Sequence, residues 1–183
     1  MIRAAALAAV FLLCGCPESV GQQCPLKTGL VGQFALSFTG QHDAGECVET
    51  LADGGTVRLT LDAGTPQSGA LCFGAGSDGG PEVTLVVPGK TARSSDLLPD
   101  GGFHFVGNNP PIPGVCNGCL VGFDESFDGF LQTGAPFTLQ GDGGLPPVSG
   151  LAGSLIDQLS SPTGGCDCNV PCTVTYAVAG KPL

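Results

Sequence analysis

The 183-residue chain has no tryptophan, one tyrosine, one methionine, two histidines, and only 6 Lys and Arg against 16 Asp and Glu. Each shortage closes off a chemistry. A formal charge of −10 repels polyanions, so nucleic acid and anionic lipid surfaces are poor partners. With His42 and His104 as the whole histidine complement, a zinc site or a hydrolytic triad has little to draw on. No apolar run approaches the roughly 20 residues that a helix needs to cross a bilayer. Without Trp, the ten phenylalanines and Tyr176 must supply the aromatic core. The carboxylates are scattered rather than run together, which fits solvated turns.

What the chain has in plenty is 31 glycines, 15 prolines and 10 cysteines. The glycine and proline imply many turns and short elements. Leu, Ile, Val and Phe are still frequent enough for a folded domain rather than a disordered chain.

Met1-Ile2-Arg3 forms a short basic leader, and Ala4 to Leu13 carries no charged side chain. That is the shape of an export signal. Leu13-Cys14-Gly15-Cys16 resembles the lipobox of bacterial lipoproteins: an aliphatic residue, a small one, Gly or Ala, then the cysteine. Cys14 fits the lipidated position worse, because the bulky Leu13 would stand beside the cut. The resemblance covers about the first eighteen residues. It implies removal of residues 1–15, a diacylglyceryl thioether on Cys16 and a further acyl chain, such as palmitate, on the new amino terminus. Each buried methylene contributes about 0.8 kcal/mol, so two or more chains anchor stably where one does not. Pro17 stands where an Asp would favour inner-membrane retention, so in a Gram-negative cell the resemblance implies the outer membrane.

Beyond Cys16, residues 16–30 read as a tether, with Cys24 available to staple it, and 31–183 as one domain. Eight cysteines remain: Cys24, Cys47, Cys72, Cys116, Cys119, Cys166, Cys168 and Cys172. An even number in an exported, oxidising setting reads as four disulfides. Eight cysteines allow 105 pairings, so connectivity stays open.

The domain alternates with period two. Phe34, Leu36 and Phe38 share a face; so do Val57, Leu59 and Leu61 within Thr56–Asp62; so do Cys172, Val174, Tyr176 and Val178. Weaker strands are expected at 70–73, 82–87, 103–106, 119–123 and 136–140. Residues 148–159 fit both periods, since Leu151, Leu155 and Leu159 recur at spacings compatible with either. Gly150 and Gly153 would each cost about 1 kcal/mol in a helix, which favours a strand. "DGG" recurs at Asp53, Asp78, Asp100 and Asp142, with "DAG" at Asp43 and Asp62. Asp-Gly supplies the positive φ that hairpin turns require, and the second Gly allows a bulge. The pattern predicts an all-β, antiparallel domain, either a sandwich or a small barrel.

Several motifs fail in context. Gly74 to Gly79, "GAGSDG", spells a dinucleotide fingerprint, but Gly80-Pro81 and a Val-rich strand follow where a helix must begin. Ala75-Gly-Ser77-Asp-Gly79 is a near miss to a nucleophile elbow and lacks a placed base, since His104 alternates outward between Phe103 and Phe105 and His42 sits in a turn. Cys116 and Cys119 have thiol-oxidoreductase spacing, but the setting is loop into strand, which favours structural bridges over a low-pKa thiol. Cys166, Cys168 and Cys172 with that pair could in principle hold zinc, and disulfides are again favoured. Asp124, Glu125 and Asp128 bring three carboxylates together without a calcium-loop spacing. No cofactor is implied. The reading is a membrane-anchored exported module, non-enzymatic, structural or binding. The alternatives are a carrier of a small apolar molecule, lined by Phe34, Leu36, Phe38 and Leu59, and an exported hydrolase. A filled core counts against the carrier, and a cavity of several hundred cubic ångströms for it.

Overall fold

A computed structural model describes residues 24–41, 47–59, 67–88, 90–113, 116–141, 143–161 and 165–183. Cys14, Cys16, His42 and both "DAG" turns lie outside the described residues.

Among the described residues ten strands follow in order: β1 (Thr28–Gln41), β2 (Val48–Thr50), β3 (Thr56–Arg58), β4 (Gln67–Ala75), β5 (Pro81–Val86), β6 (Arg93–Asp96), β7 (Gly102–Pro113), β8 (Leu120–Thr133), β9 (Val148–Ser160) and β10 (Cys172–Pro182). Eight make one antiparallel sheet in the order β6-β5-β4-β1-β10-β9-β8-β7, and β2 and β3 form a separate hairpin. From β4 to β10 the chain is an up-and-down meander, with β1 inserted between β10 and β4. The two outer strands, β6 and β7, are consecutive and joined by a tight turn in which Leu98 N–H bonds Gly102 O at 2.8 Å. The sheet therefore curls into a nearly closed eight-stranded barrel, which resolves sandwich against barrel.

The alternation of sequence becomes inside and outside. On β10, Cys172, Val174, Tyr176 and Val178 are buried, as are Phe34 and Leu36 on β1. Phe103 and Phe105 from β7 lie 4.9 Å apart and meet Phe127 from β8 at 5.6 and 6.1 Å between centroids. Phe38 meets Tyr176 edge-on at 6.4 Å. The outward positions of β1 and β10 are small or polar: Ala35, Ser37 and Thr39, then Thr173, Thr175 and Ala177. On these two strands the apolar side chains point inward and the small or polar ones outward. Residues 148–159 lie in β9, paired with β8 and β10 along its length.

The "DGG" phrase builds one turn four times. In Leu51–Gly55, Gly76–Gly80 and Leu98–Gly102, the first residue donates to the carbonyl of the fifth and accepts from the fourth. The Asp carboxylate accepts the amide of the second Gly at 2.9 to 3.0 Å. The first Gly takes φ of +81, +84 and +83. This is a three-residue hairpin loop ending in a glycine bulge. Gln140, Gly143 and Gly144 repeat the backbone bonds, while Asp142 lies outside the described residues. Gly101 carries a second demand, because a Cβ there would stand 2.7 Å from the Phe137 ring; at Gly79 nothing lies within 4 Å. Gly79→Ala should cost about 1–2 kcal/mol from the left-handed backbone alone. Gly101→Ala should cost a further 1–3 kcal/mol, roughly, from overpacking, as read by urea denaturation of the two variants side by side.

Three expectations need correction. Residues 136–140 are not a strand: β8 and β9 already pair with each other and with β7 and β10, which leaves no edge to join. Phe137 and Leu139 are half-buried while Thr138 and Gln140 are exposed, so the segment has period two because it lies along the barrel end with one side down. Of the expected 56–62 strand, Thr56–Arg58 form β3 while 60–62 lie outside the described residues, and Val57 is 44% exposed rather than on a buried face. Leu59 packs against the core from that hairpin and not from within the barrel wall. Finally, the tether does not run to residue 30: Cys24 is already bonded to Cys72, and β1 begins at Thr28. The strand β6, with Ser and charged residues on both faces, has no sequence signal of its own.

Candidate functional site

The antiparallel order gives the barrel two distinct ends. At one lie the start of β1, the β4–β5 and β6–β7 turns, the loop from 134 to 147 and the end of β10. At the other lie the end of β1, the β5–β6, β7–β8 and β9–β10 connections and the β2–β3 hairpin. Three of the four disulfides sit at this second end: Cys47–Cys172, Cys116–Cys168 and Cys119–Cys166. The fourth, Cys24–Cys72, ties the entering chain to β4.

All eight expected cysteines are therefore bridged. Cys116 and Cys119 do not join each other; both reach the 166–168 segment, which makes a double staple between two loops. The β2–β3 hairpin is clamped to that staple. Asn169 N–H bonds Val48 O at 3.1 Å, Thr50 N–H bonds Asp167 O at 2.7 Å, and Asn117 Nδ2 donates to Glu49 Oε1 at 2.6 Å.

Inside the wall near this end is a buried ionic cluster. Glu125 is 2% exposed and wholly enclosed Asp157 is its cross-strand neighbour on β9. Like charges placed opposite each other in a sheet repel. Two cations offset this: Lys90 Nζ donates to Glu125 Oε1 at 3.2 Å, and the Arg93 guanidinium pairs with Glu125 Oε2. Arg93 comes from β6 and Glu125 from β8, so the pair reaches over β7. It can do so because Gly107 is the β7 partner of Glu125, and a Cβ there would collide with the guanidinium. Among the described residues no backbone ladder joins β6 to β7. The seam is held instead by side chains: this ion pair, and Ser95 Oγ accepting the His104 amide at 3.1 Å.

The cluster borders a cavity lined by Leu36, Phe38, Leu85, Phe105, Phe127 and Leu155, with a volume of about 40 Å³. A water needs about 10–15 Å³ by this measure, so the space suits a few waters, whereas ligand sites usually span about 300–1,000 Å³.

The sequence held a signal for this cluster. In β8, Val121, Glu125, Phe127 and Leu131 share the inner face, and in β9 Leu151, Leu155, Asp157 and Leu159 do. A carboxylate in the apolar register of two strands marks a buried charge, and reading 124–128 as an acidic group hides it. Asp124 and Asp128 point outward and Glu125 inward, so the three do not converge. Among the described residues no group of three or more His, Cys, Asp or Glu is placed to hold a metal ion.

The other candidates separate likewise. His104 is 52% exposed and lies 2.6 Å from Asp128, its cross-strand neighbour, on the outer surface. Ser77 is exposed in the β4–β5 turn, and Gly74 to Gly79 run from the end of β4 into that turn with no helix after it. Among the described residues no helix is long and apolar enough to cross a membrane. The chain matches no protein-family model, no curated protein and no solved structure.

Proposed function

We propose that the protein is an exported lipoprotein, held to a membrane by lipid on Cys16, whose barrel serves as a non-enzymatic structural or binding module. The observation that carries this reading is the ordered lipobox at residues 13–16 ahead of a domain with four disulfides. Such bridges persist in oxidising compartments and are rare in the cytosol. In a Gram-negative host the destination is the outer membrane, since Pro17 follows the lipidated cysteine. The interior cavity among the described residues, about 40 Å³, is far short of a small apolar ligand, which supports a structural or surface-binding role over a carrier. The outward His104 and the turn position of Ser77 support the non-enzymatic reading over a hydrolase.

Metabolic labelling with a fatty acid tests the anchor. Cys16→Ala is expected to abolish label and to leave an unprocessed precursor, while Cys14→Ala keeps both labelling and processing. Label that persists in the first variant refutes the assignment.

A further inference from the structure

We propose that the end of the barrel where the tether enters rests on the bilayer that holds the lipid, with the three-disulfide end directed away. This rests on the lipid anchor at Cys16. The tether is short and its far end is fixed. Eight residue steps separate Cys16 from Cys24, a span of at most about 28 Å at about 3.5 Å per residue. Cys24 is covalently tied to Cys72 on β4. The entry end is therefore always within reach of the membrane, and its contact with lipid is an intramolecular event at high effective concentration.

That end is built to use the proximity. Leu26 is 95% exposed, Leu30 56% and Leu98 51%, all around this rim. Isolated exposed leucines are ordinary, but Leu30 also lines a surface groove. That groove, of about 360 Å³, is lined by Leu30, Val31, Phe73, Leu145, Pro146 and Val148. It opens where β10 stops, because β10 pairs with β1 only from Phe34 onward. A second groove shares Phe73 and continues past Pro81 to Leu139.

The charges at this end set the kind of contact. Lys27 and Lys181 are exposed near the rim, and the Asp78 and Asp100 carboxylates fold back onto the amides of Gly80 and Gly102. Exposed carboxylates at the turn tips keep the contact shallow, at the level of the headgroups, and the protein's net charge favours zwitterionic over anionic lipid. The β2–β3 hairpin and the double staple cover the opposite end.

The absence of tryptophan makes the test direct. Leu26→Trp, Leu30→Trp and, on the β2–β3 turn, Leu51→Trp each create a single-tryptophan protein at an exposed site. Each lipidated variant is reconstituted on phosphatidylcholine vesicles with and without brominated acyl chains. At positions 26 and 30 the emission is expected to shift to the blue and to lose about half its intensity to bromine, as suits a side chain at the headgroup–acyl boundary. At position 51 it is unchanged. Vesicles that carry the protein while none of the three is quenched leave the anchor standing and overturn the docking. Equal quenching at 51 overturns the orientation. Protein that fails to float with vesicles refutes the anchor itself, and the docking with it.

Discussion

Glu125→Ala is expected to destabilise the domain by about 3–5 kcal/mol, the range for removing one partner of a buried ion pair. The wild-type residue is 2% exposed and holds Lys90 and Arg93, whose side chains are 25% and 14% exposed. Removal takes a buried carboxylate partner from Arg93, the more buried cation, in the seam above Gly107. Because Lys90 can turn to solvent, the lower part of that range is expected. Much of the loss on breaking a buried pair comes from the partner left behind, so Glu125→Leu combined with Arg93→Leu should recover part of it. Urea denaturation of the single and double variants measures both. Local opening gives a second reading: amide exchange should quicken in β6 and β7, which lack a ladder between them, and stay slow in β9 and β10. A Glu125→Ala protein within about 1 kcal/mol of wild type would mean that the pair is an ordinary surface bridge.

The second large effect is expected from the disulfide with the widest span. Cys47–Cys172 joins residues 125 apart, and in the chain-entropy account a loop of that order is worth about 4–5 kcal/mol. Cys47 is also buried at 1% and fixes the β2–β3 hairpin to the start of β10. Replacing both cysteines with serine should therefore lower stability by about that amount and free the hairpin. The double staple behaves differently. Once Cys116–Cys168 is closed, Cys119–Cys166 adds only a small ring of residues 116–119 and 166–168. Its removal alone should cost about 2 kcal/mol. Thermal unfolding of the two double-serine variants decides the order. Equal losses would show that local contacts, not loop closure, set the contribution of each bridge.

Residue by residue, the legible parts were those where one local rule sufficed. Alternation placed Phe34, Leu36, Tyr176 and Val178 on one face, and the barrel buries all four. The Asp-Gly-Gly turns were readable because positive φ is a property of glycine itself. The glycine argument at 150 and 153 chose strand over helix at 148–159, and β9 runs there. The misreadings share a cause. Val57 and the segment 136–140 alternate as the true strands do, but a pattern does not say whether a partner edge exists. For β3 the partner is one short strand outside the barrel, and for 136–140 there is none among the described residues.

By itself the sequence determined the class: an all-β, antiparallel, disulfide-stapled domain behind a segment that resembles a lipoprotein signal. These follow from composition and from periods that span only a few residues. Only the tertiary structure decided that the sheet curls into a barrel, which cysteine meets which, and that Glu125 and Asp157 face each other within it. Closure depends on β6 meeting β7 and on Arg93 crossing Gly107 to reach β8. Pairings over such distances are set by the sum of all strand registers, and no local stretch of the chain encodes that sum.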